Sequence, residues 1–339
     1  MMRQAINRLV AGESLGEIEA EAIMGLIMSG EATPAQIGAL LAALRLKGET
    51  VEEITGFARA MRSMAQPVAA SRPALIDTCG TGGDGSHTFN ISTIAALVLA
   101  GAGITVAKHG NRSVSSRCGS ADVLEALGVK VDLPPVAASR CLDQVGIGFL
   151  FAPAFHQAMR YAAGPRKEIG IRTVFNLLGP LTNPAAPPYQ VVGVYDADLT
   201  EIVAAVLGRL GCRRAFVVHG GDGLDEVTTT GTSKITRLDQ DRVETFYLDP
   251  EQVGLRRARP EDLAGGNAQE NADIARRVLS GEKGPRRDVV LLNAALGLVA
   301  AGAAADLAAG LAAAAQSIDS GAAMEKLEAM IEFSQSWAA

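Results

Sequence analysis

No two cysteines stand at C-x-x-C spacing: Cys79, Cys118, Cys141 and Cys212 are scattered along the chain. That spacing excludes a zinc knuckle and a disulfide framework, and fits reduced thiols in a cytoplasmic protein. A basic excess is also missing. The 31 Lys and Arg residues are outnumbered by 37 Asp and Glu, for a net charge of −6 over 339 residues. The chain as a whole therefore lacks the footprint of a nucleic-acid binder, and a polyanion would have to be held by local groups. The first residues, Met-Met-Arg-Gln-Ala-Ile-Asn-Arg, contain no apolar h-region and predict no secretory signal. Two apolar stretches resemble membrane spans. The stretch 91–107 is broken by glycine, and 289–315 carries Asn293 and Asp306, so both read as buried elements. No internal repeat is present, and low complexity is confined to the alanine-rich region near 300–315.

The chain does contain ample core material, with 48% hydrophobic and 20% charged residues, as in ordinary globular domains. The rest of the chain is organised around Asp77-Thr78-Cys79-Gly80-Thr81-Gly82-Gly83-Asp84-Gly85, followed by Thr88-Phe89-Asn90-Ile91-Ser92-Thr93. A short apolar run, 74–76, leads in and a long one, 94–100, leads out, which reads as strand, glycine loop and helix start. Glycines allow positive φ and close approach of the backbone. Successive N–H groups in such a loop form an anion nest, and the helix that follows adds its positive end. Asn90, Ser92 and Thr93 are cap-type residues at that end. The loop matches neither G-x-x-x-x-G-K-[ST] nor G-x-G-x-x-G. Taken alone it is as compatible with a plain turn as with a phosphate site.

Residues 1–65 read as helical. Ser14 with Glu17, Thr33 with Gln36 and Thr50 with Glu53 each fit a capping box. Pro34 suits a first helical position, and Ile37, Leu40, Leu41 and Leu44 share one face. Residues 66–73 read as a hinge. Beyond it, candidate strands (74–77, 104–108, 129–132, 147–151, 190–195, 215–219) alternate with candidate helices (92–101, 120–127, 135–145, 155–163, 198–210, 269–280, 288–300). Such alternation predicts an α/β domain with a mainly parallel sheet covered by helices. Ligands of such sheets sit beyond the carboxyl ends of the strands. Residues 164–188 interrupt the pattern with Gly164-Pro165-Arg166-Lys167 and Gly179-Pro180-Leu181-Thr182-Asn183-Pro184, and read as a crossing back to the helical part. The expected organisation is a helical domain at 1–70, joined by 164–188, and an α/β domain at 71–163 and 189–339. Residues 235–248 predict an antiparallel hairpin turning near Asp239–Asp241.

Three further clusters fall after predicted strand ends. Lys108-His109-Gly110-Asn111-Arg112-Ser113-Val114-Ser115-Ser116-Arg117 offers cations, hydroxyls and N–H groups suited to phosphate oxygens. Ser120 opens the next helix, as a cap or as a ligand contact. Asp225-Glu226, after His219-Gly220-Gly221-Asp222-Gly223, suits magnesium, which takes oxygen ligands and bridges to phosphate. Ser92 is a third candidate oxygen. Arg166 and Lys167 stand in the crossing segment near Pro153, where an arginine could pair with a small carboxylate. His109 and His156 have no carboxylate partner in the sequence, so a catalytic dyad is not indicated.

Together these motifs resemble the anthranilate phosphoribosyltransferase family. The resemblance runs through Gly80-Thr81-Gly82-Gly83-Asp84, Asn90-Ile91-Ser92-Thr93, Lys108-His109-Gly110-Asn111-Arg112, Gly119-Ser120-Ala121-Asp122, Asn176-Leu177-Leu178-Gly179-Pro180-Leu181-Thr182-Asn183-Pro184 and Asp225-Glu226. It implies transfer of phosphoribose from phosphoribosyl diphosphate to the amine of anthranilate, in tryptophan biosynthesis. It also implies that Gly80, Gly82, Gly83, Asp84, Thr88, Asn90, Ile91, Ser92, Thr93, the run Lys108 to Ser116 and Ser120 hold the diphosphate substrate. Gly80, His109, Asn111, Pro153 and Arg166 would contact anthranilate. Ser92, Asp225 and Glu226 would hold Mg2+, and Lys108, Asn111 and Arg166 would position groups and stabilise charge, with no general base assigned. A homodimer through the helical domain, in the cytoplasm, with no nucleic-acid or membrane partner, is implied as well. A pyrimidine nucleoside phosphorylase of the same fold and a non-catalytic nucleic-acid-binding relative stand as alternatives.

Overall fold

Two reciprocal caps start helices in the segment that opens the chain. In the computed structural model, which describes residues 1–71, 74–113 and 117–337, the elements are α1 (Met2–Val10), α2 (Glu17–Met28), α3 (Pro34–Lys47) and α4 (Val51–Met64). Thr33 and Thr50 each accept from the backbone N–H three residues on, while Gln36 and Glu53 accept from the backbone N–H groups of Thr33 and Thr50. The third expected box does not form. Helix α2 starts at Glu17 behind Gly16 with no side-chain cap. Ser14 instead receives Lys47 Nζ at 3.2 Å, and buried Glu53 takes the Leu15 N–H at 3.0 Å. Long-range partners therefore hold this turn in place of a local box. Helices α2 and α4 cross so closely that a Cβ on Gly56 would lie 2.2 Å from the Glu17 carbonyl oxygen, which only glycine permits there.

The second part is built on a seven-stranded sheet of order β3-β2-β1-β4-β5-β6-β7. The strands are β1 (Leu75–Gly80), β2 (Thr105–Gly110), β3 (Ile147–Phe151), β4 (Tyr189–Gly193), β5 (Arg214–Gly220), β6 (Ser233–Asp239) and β7 (Arg242–Leu248). The first five strands in that order run parallel, and β6 and β7 continue the sheet antiparallel as the expected hairpin. Successive strand residues point to opposite faces. Val191 and Val218 join the core formed with α5 (Ile91–Gly101) and the helix Pro285–Ala300. Their neighbours Val192 and Val217 face the other way, into one continuous core with α2, α3, α4 and the helix Leu199–Arg209. The helical bundle is thus docked on one face of the sheet through shared apolar side chains.

Two sequence expectations fail here. Residues 129–132 form no strand. Val129 and Val131 are buried, but the Lys130 N–H goes to Ser334 Oγ at 3.0 Å, so the alternation reflects packing against the C-terminal helix. The 155–163 helix and the Gly164–Lys167 loop are also redrawn. A short helix, Ala152–Phe155, ends before a longer one, Arg160–Ile169, which contains Pro165 and closes at Gly170 with φ +65°. Arg166 therefore lies in the last turn of a helix and not in a loop. The helix Phe175–Leu181 follows, with Leu177, Leu178 and Leu181 in the core shared with the bundle. No helix among the described residues is long and apolar enough to cross a membrane.

Candidate functional site

The carboxyl ends of β1, β2, β4 and β5 come together along one edge of the sheet. The glycine loop leaves β1 with Gly82, Gly83 and Gly85 at φ +68°, +75° and +75°. The Asp225-Glu226 segment crosses directly over this edge. A Cβ on Gly80 would lie 2.3 Å from Asp225 Oδ2, and one on Gly193 only 1.5 Å from the Asp225 carbonyl oxygen. These two glycines are what let the acidic segment reach the loop. The Gly82 N–H donates to Asp225 Oδ2 at 2.7 Å, and the Ser92 N–H to Glu226 Oε1 at 3.1 Å. Lys108 is 3% exposed; its Nζ donates to the Thr78 carbonyl and lies 3.4 Å from Ser92 Oγ. Ser92, Lys108, Asp225 and Glu226, dispersed in sequence, therefore share one locus.

The acidic pair is electrostatically strained. Burial pushes both carboxyl groups above their ordinary range; Asp84 adds to the shift of Asp225, and Asp225 to that of Glu226. Among the described residues no cluster of three or more His, Cys, Asp or Glu is arranged as a metal site. A pair of carboxylates plus a hydroxyl suits magnesium, which binds through one or two carboxylates together with substrate phosphate and water. The donor set fits that ion, and a cation is what two crowded carboxylates need in order to ionise together.

Other expected residues are engaged differently from expectation. Asn90 precedes α5 but makes no side-chain cap. Its amide donates to the Cys118 carbonyl at 3.1 Å and accepts from Asn271 Nδ2 at 3.0 Å, tying three segments together. Ser120 is not the cap of its helix either; Gly119 is, and Ser120 Oγ donates to the Asn111 carbonyl at 3.2 Å. Arg112 is held by Asp122 at 3.0 Å and by Glu125. Asp122 also accepts the N–H groups of Gly119 and Ser113, so it shapes the loop. Thr88 bridges Ala264, and the Phe89 and Gly265 N–H groups go to Leu263 and His87. Ile91 and Thr93 are buried in the first turn of α5. Val114, Ser115 and Ser116 lie outside the described residues.

The crossing segment meets this edge. His109 Nδ1 lies 3.2 Å from the Gly179 carbonyl oxygen; a carbonyl only accepts, so Nδ1 carries the proton. The His109 and His156 rings stand 5.2 Å apart. Burial, then the neighbouring His156, lowers His109 to about 3, and burial lowers His156 to about 4, so both are neutral rings. Arg166 is half-buried with its guanidinium 4.9 Å from the Phe175 ring centre. Burial lowers its pKa, and among the described residues no carboxylate lies at ion-pair distance from it. Pro153 is exposed in the short helix after β3. Arg172 was not singled out from the sequence. Its guanidinium donates to the Gly83 carbonyl and lies 4.4 Å from the Tyr195 ring centre. A lone arginine after Gly170-Ile171 carries no local signal; only folding brings it to the glycine loop.

A helical bundle docked on an α/β domain, with a positive-φ glycine loop and an acidic pair against it at the strand ends, defines a glycosyl-transferring enzyme. Residues 3–65 match the helical bundle domain of a glycosyl transferase family, and residues 72–324 its a/b domain. The anthranilate phosphoribosyltransferase of Moorella thermoacetica is 68% identical over 339 residues, covering 100% of both chains. That of Pelotomaculum thermopropionicum is 60% identical, over 98% of this chain and 96% of the relative. The crystal structure of the Thermus thermophilus enzyme superposes with a TM-score of 0.93 at 47% identity, covering 98% and 99% of the two chains. The Saccharomyces cerevisiae enzyme in complex with PRPP and Mg gives 0.91 at 29% identity, over 99% and 98%. The chain belongs to the anthranilate phosphoribosyltransferase family.

Proposed function

We infer that this strand-end site transfers the phosphoribosyl group of 5-phospho-α-D-ribose 1-diphosphate to the amine of anthranilate, giving N-(5-phosphoribosyl)anthranilate and diphosphate in tryptophan biosynthesis. The observation that carries the reading is the Asp225–Glu226 pair seated against the glycine nest. Carboxylates beside an anion site make chemical sense when a cation bridges them to the anion. Ser92, Asp225 and Glu226 would hold magnesium; when bound, it supplies positive charge to the diphosphate oxygens. Lys108 adds a second charge on the same side. The glycine loop, Thr88, Asn90–Thr93, the Lys108–Ser113 run and Ser120 would hold the diphosphate substrate.

The C1–O bond breaks with its electron pair leaving on diphosphate, so the transition state resembles an oxocarbenium ion. The N–C1 bond forms from the neutral aromatic amine, which then gives up one proton to solvent. Positioning of the two substrates, not base catalysis, is the main demand on the protein. Gly80, His109, Asn111, Pro153 and Arg166 would line the anthranilate side, with Arg166 facing the carboxylate. Its half-burial, and the lack of a carboxylate partner among the described residues, support that role.

The domain division at 1–70 with 164–188, against 71–163 with 189–339, belongs to the same reading, as does a cytoplasmic location. So does a homodimer through the helical domain. Val10, Ile18 and Leu46 are 73%, 84% and 89% exposed on α1 to α3, and light scattering should return twice the 35.1 kDa chain mass. The activity is tested by mixing purified protein with anthranilate, phosphoribosyl diphosphate and magnesium. Anthranilate fluorescence should fall, and omission of any component should stop the fall. Unchanged fluorescence with all components present would overturn the reading.

A further inference from the structure

The Asn176–Pro184 motif has no task in the transfer as described, yet its last asparagine is one of the most constrained side chains in the protein. Asn183 is 1% exposed. Its Nδ2 donates to Asp77 Oδ2 and to the Ala107 carbonyl, each at 2.8 Å, and its Oδ1 accepts from the Ala185 N–H at 2.9 Å. Both amide hydrogens and the amide oxygen are thus in use. Asp77, fully buried on β1, takes the His109 N–H on its other oxygen at 3.2 Å. Burial raises the Asp77 carboxyl, and the Lys108 charge opposes that shift.

These bonds stand where the hydrogen-bonded ladder between β1 and β2 ends. β1 and β2 pair at Leu75–Thr105 and Ile76–Val106 and no further, whereas β1 and β4 stay paired from Ile76 to Gly80. Beyond Ile76, backbone groups of the two strands are met by side chains. Asp77 takes the His109 N–H, Asn183 donates to the Ala107 carbonyl, and Lys108 Nζ donates to the Thr78 carbonyl. A buried carboxylate and amide are costly unless fully hydrogen-bonded, and here each polar atom named has a partner. The crossing segment also receives the His109 ring at Gly179.

We propose that Asp77 and Asn183 form a wedge that holds β1 and β2 apart and thereby positions Lys108 and His109 for phosphoribosyl transfer. They are positioning residues, acting through β2, and the inference rests on the transfer reading above. The wedge also joins the crossing segment to the diphosphate side of the site, so that one buried bond aligns the two substrate halves.

The test is a swap of donor and acceptor, read by steady-state kinetics and by calorimetric titration of phosphoribosyl diphosphate with magnesium. Asp77→Asn sets amide against amide, and Asn183→Asp sets carboxylate against carboxylate and carbonyl. Each should lower kcat per folded molecule about 10- to 100-fold, the rate equivalent of one unsatisfied buried polar group, and weaken substrate binding in the titration. In the double swap the new amide at 77 donates to the new carboxylate at 183, which restores the bond between them in reverse while the Ala107 carbonyl stays without its donor. It should recover at least about tenfold in kcat over the poorer single, the signature of direct coupling. Asn183→Ser, which keeps one donor, serves if a single variant fails to fold; kcat should fall by about tenfold. A lowered melting temperature with wild-type kcat per folded molecule, or a double swap as poor as the product of the singles, would overturn the wedge. Wild-type protein in the same assay separates that failure from failure of the transfer reading.

Discussion

The strand-end edge and the crossing segment beside it hold their charges in different ways. At the edge, Lys108 is bonded to Thr78, Asp225 to Gly82 and Glu226 to Ser92. Lys108 and Glu226 are buried, Asp225 is partly buried, and all three are clamped by backbone before any substrate arrives. On the crossing segment, Arg166 rests on the Phe175 ring without a carboxylate at ion-pair distance among the described residues. Under the proposed function, the edge would be preorganised for charges that are large and fixed in number, those of a diphosphate and its metal, and the segment would present one fork to a single small carboxylate. Preorganisation of this kind is where electrostatic rate enhancement comes from, because no reorganisation is needed as charge develops.

The sharpest way to break the comparison is at the edge. Asp225→Asn with Glu226→Gln should reduce kcat/KM by about 10³-fold or more, since metal-borne charge is worth several kcal/mol in such a transition state. The melting temperature of the free protein should hold or rise, because the substitution relieves burial and mutual repulsion. Near-normal turnover of the double variant at low magnesium would remove the metal from these residues. On the crossing segment, Arg166→Ala should cost roughly 2–4 kcal/mol of anthranilate recognition. That corresponds to a KM for anthranilate raised about 30- to 1000-fold, with KM for the diphosphate substrate nearly unchanged. Arg166→Lys should recover only part, as an ammonium lacks the planar fork. Equal damage to both KM values would assign the residue to closure of the site.

Between the two regions lie the histidine rings, and their effect is on stability. Both are depressed below the ordinary histidine value of 6.5, to about 3 and about 4. The unfolded chain therefore binds protons that the native state refuses. The stabilisation is complete above pH 6.5 and is lost as pH falls towards 4, at about 1.4 kcal/mol per pH unit for each ring. The raised Asp225 and Glu226 carboxyls oppose this slope, so the rings are read as a difference: in urea denaturation at a series of pH values, His156→Gln should fall short of the wild-type dependence by about one ring's share. An unchanged slope would mean that His156 is protonated when folded. The smallest effect belongs to the Thr50 cap of α4, in the helical bundle that shares a core with the crossing segment. Thr50→Ala should lower stability by about 1 kcal/mol through loss of the cap, with kcat unaltered. A change in kcat would tie the bundle to the chemistry more closely than its packing implies.

Local chemistry made much of this molecule legible. The capping boxes at Thr33 and Thr50, the strand–glycine–helix turn and the Asp239–Asp241 hairpin all depend on neighbours a few residues apart. The false strand at 129–132 shows the limit of that rule, since burial against a distant helix produces the same alternation as a sheet. Pro165 shows another, for a proline after glycine reads as a break and yet lies within Arg160–Ile169. Ser14 and Asn90 kept the residue type of a cap but gave their hydrogen bonds to partners far along the chain.

The sequence by itself marked the segments whose chemistry suits an anion or a cation, because glycine, hydroxyl, lysine and carboxylate chemistry is local. It determined the two-part organisation as well, through the change from helical periodicity to strand–helix alternation. Only the tertiary structure decided that Asp225 passes over Gly80 and Gly193, that Arg172 reaches Gly83, and that Asp77 and Asn183 part β1 from β2. The contacts that span the two ends of the site join residues roughly 90 to 140 positions apart. At such separations no periodicity or spacing specifies a partner; the register of the sheet and the docking of the crossing segment do.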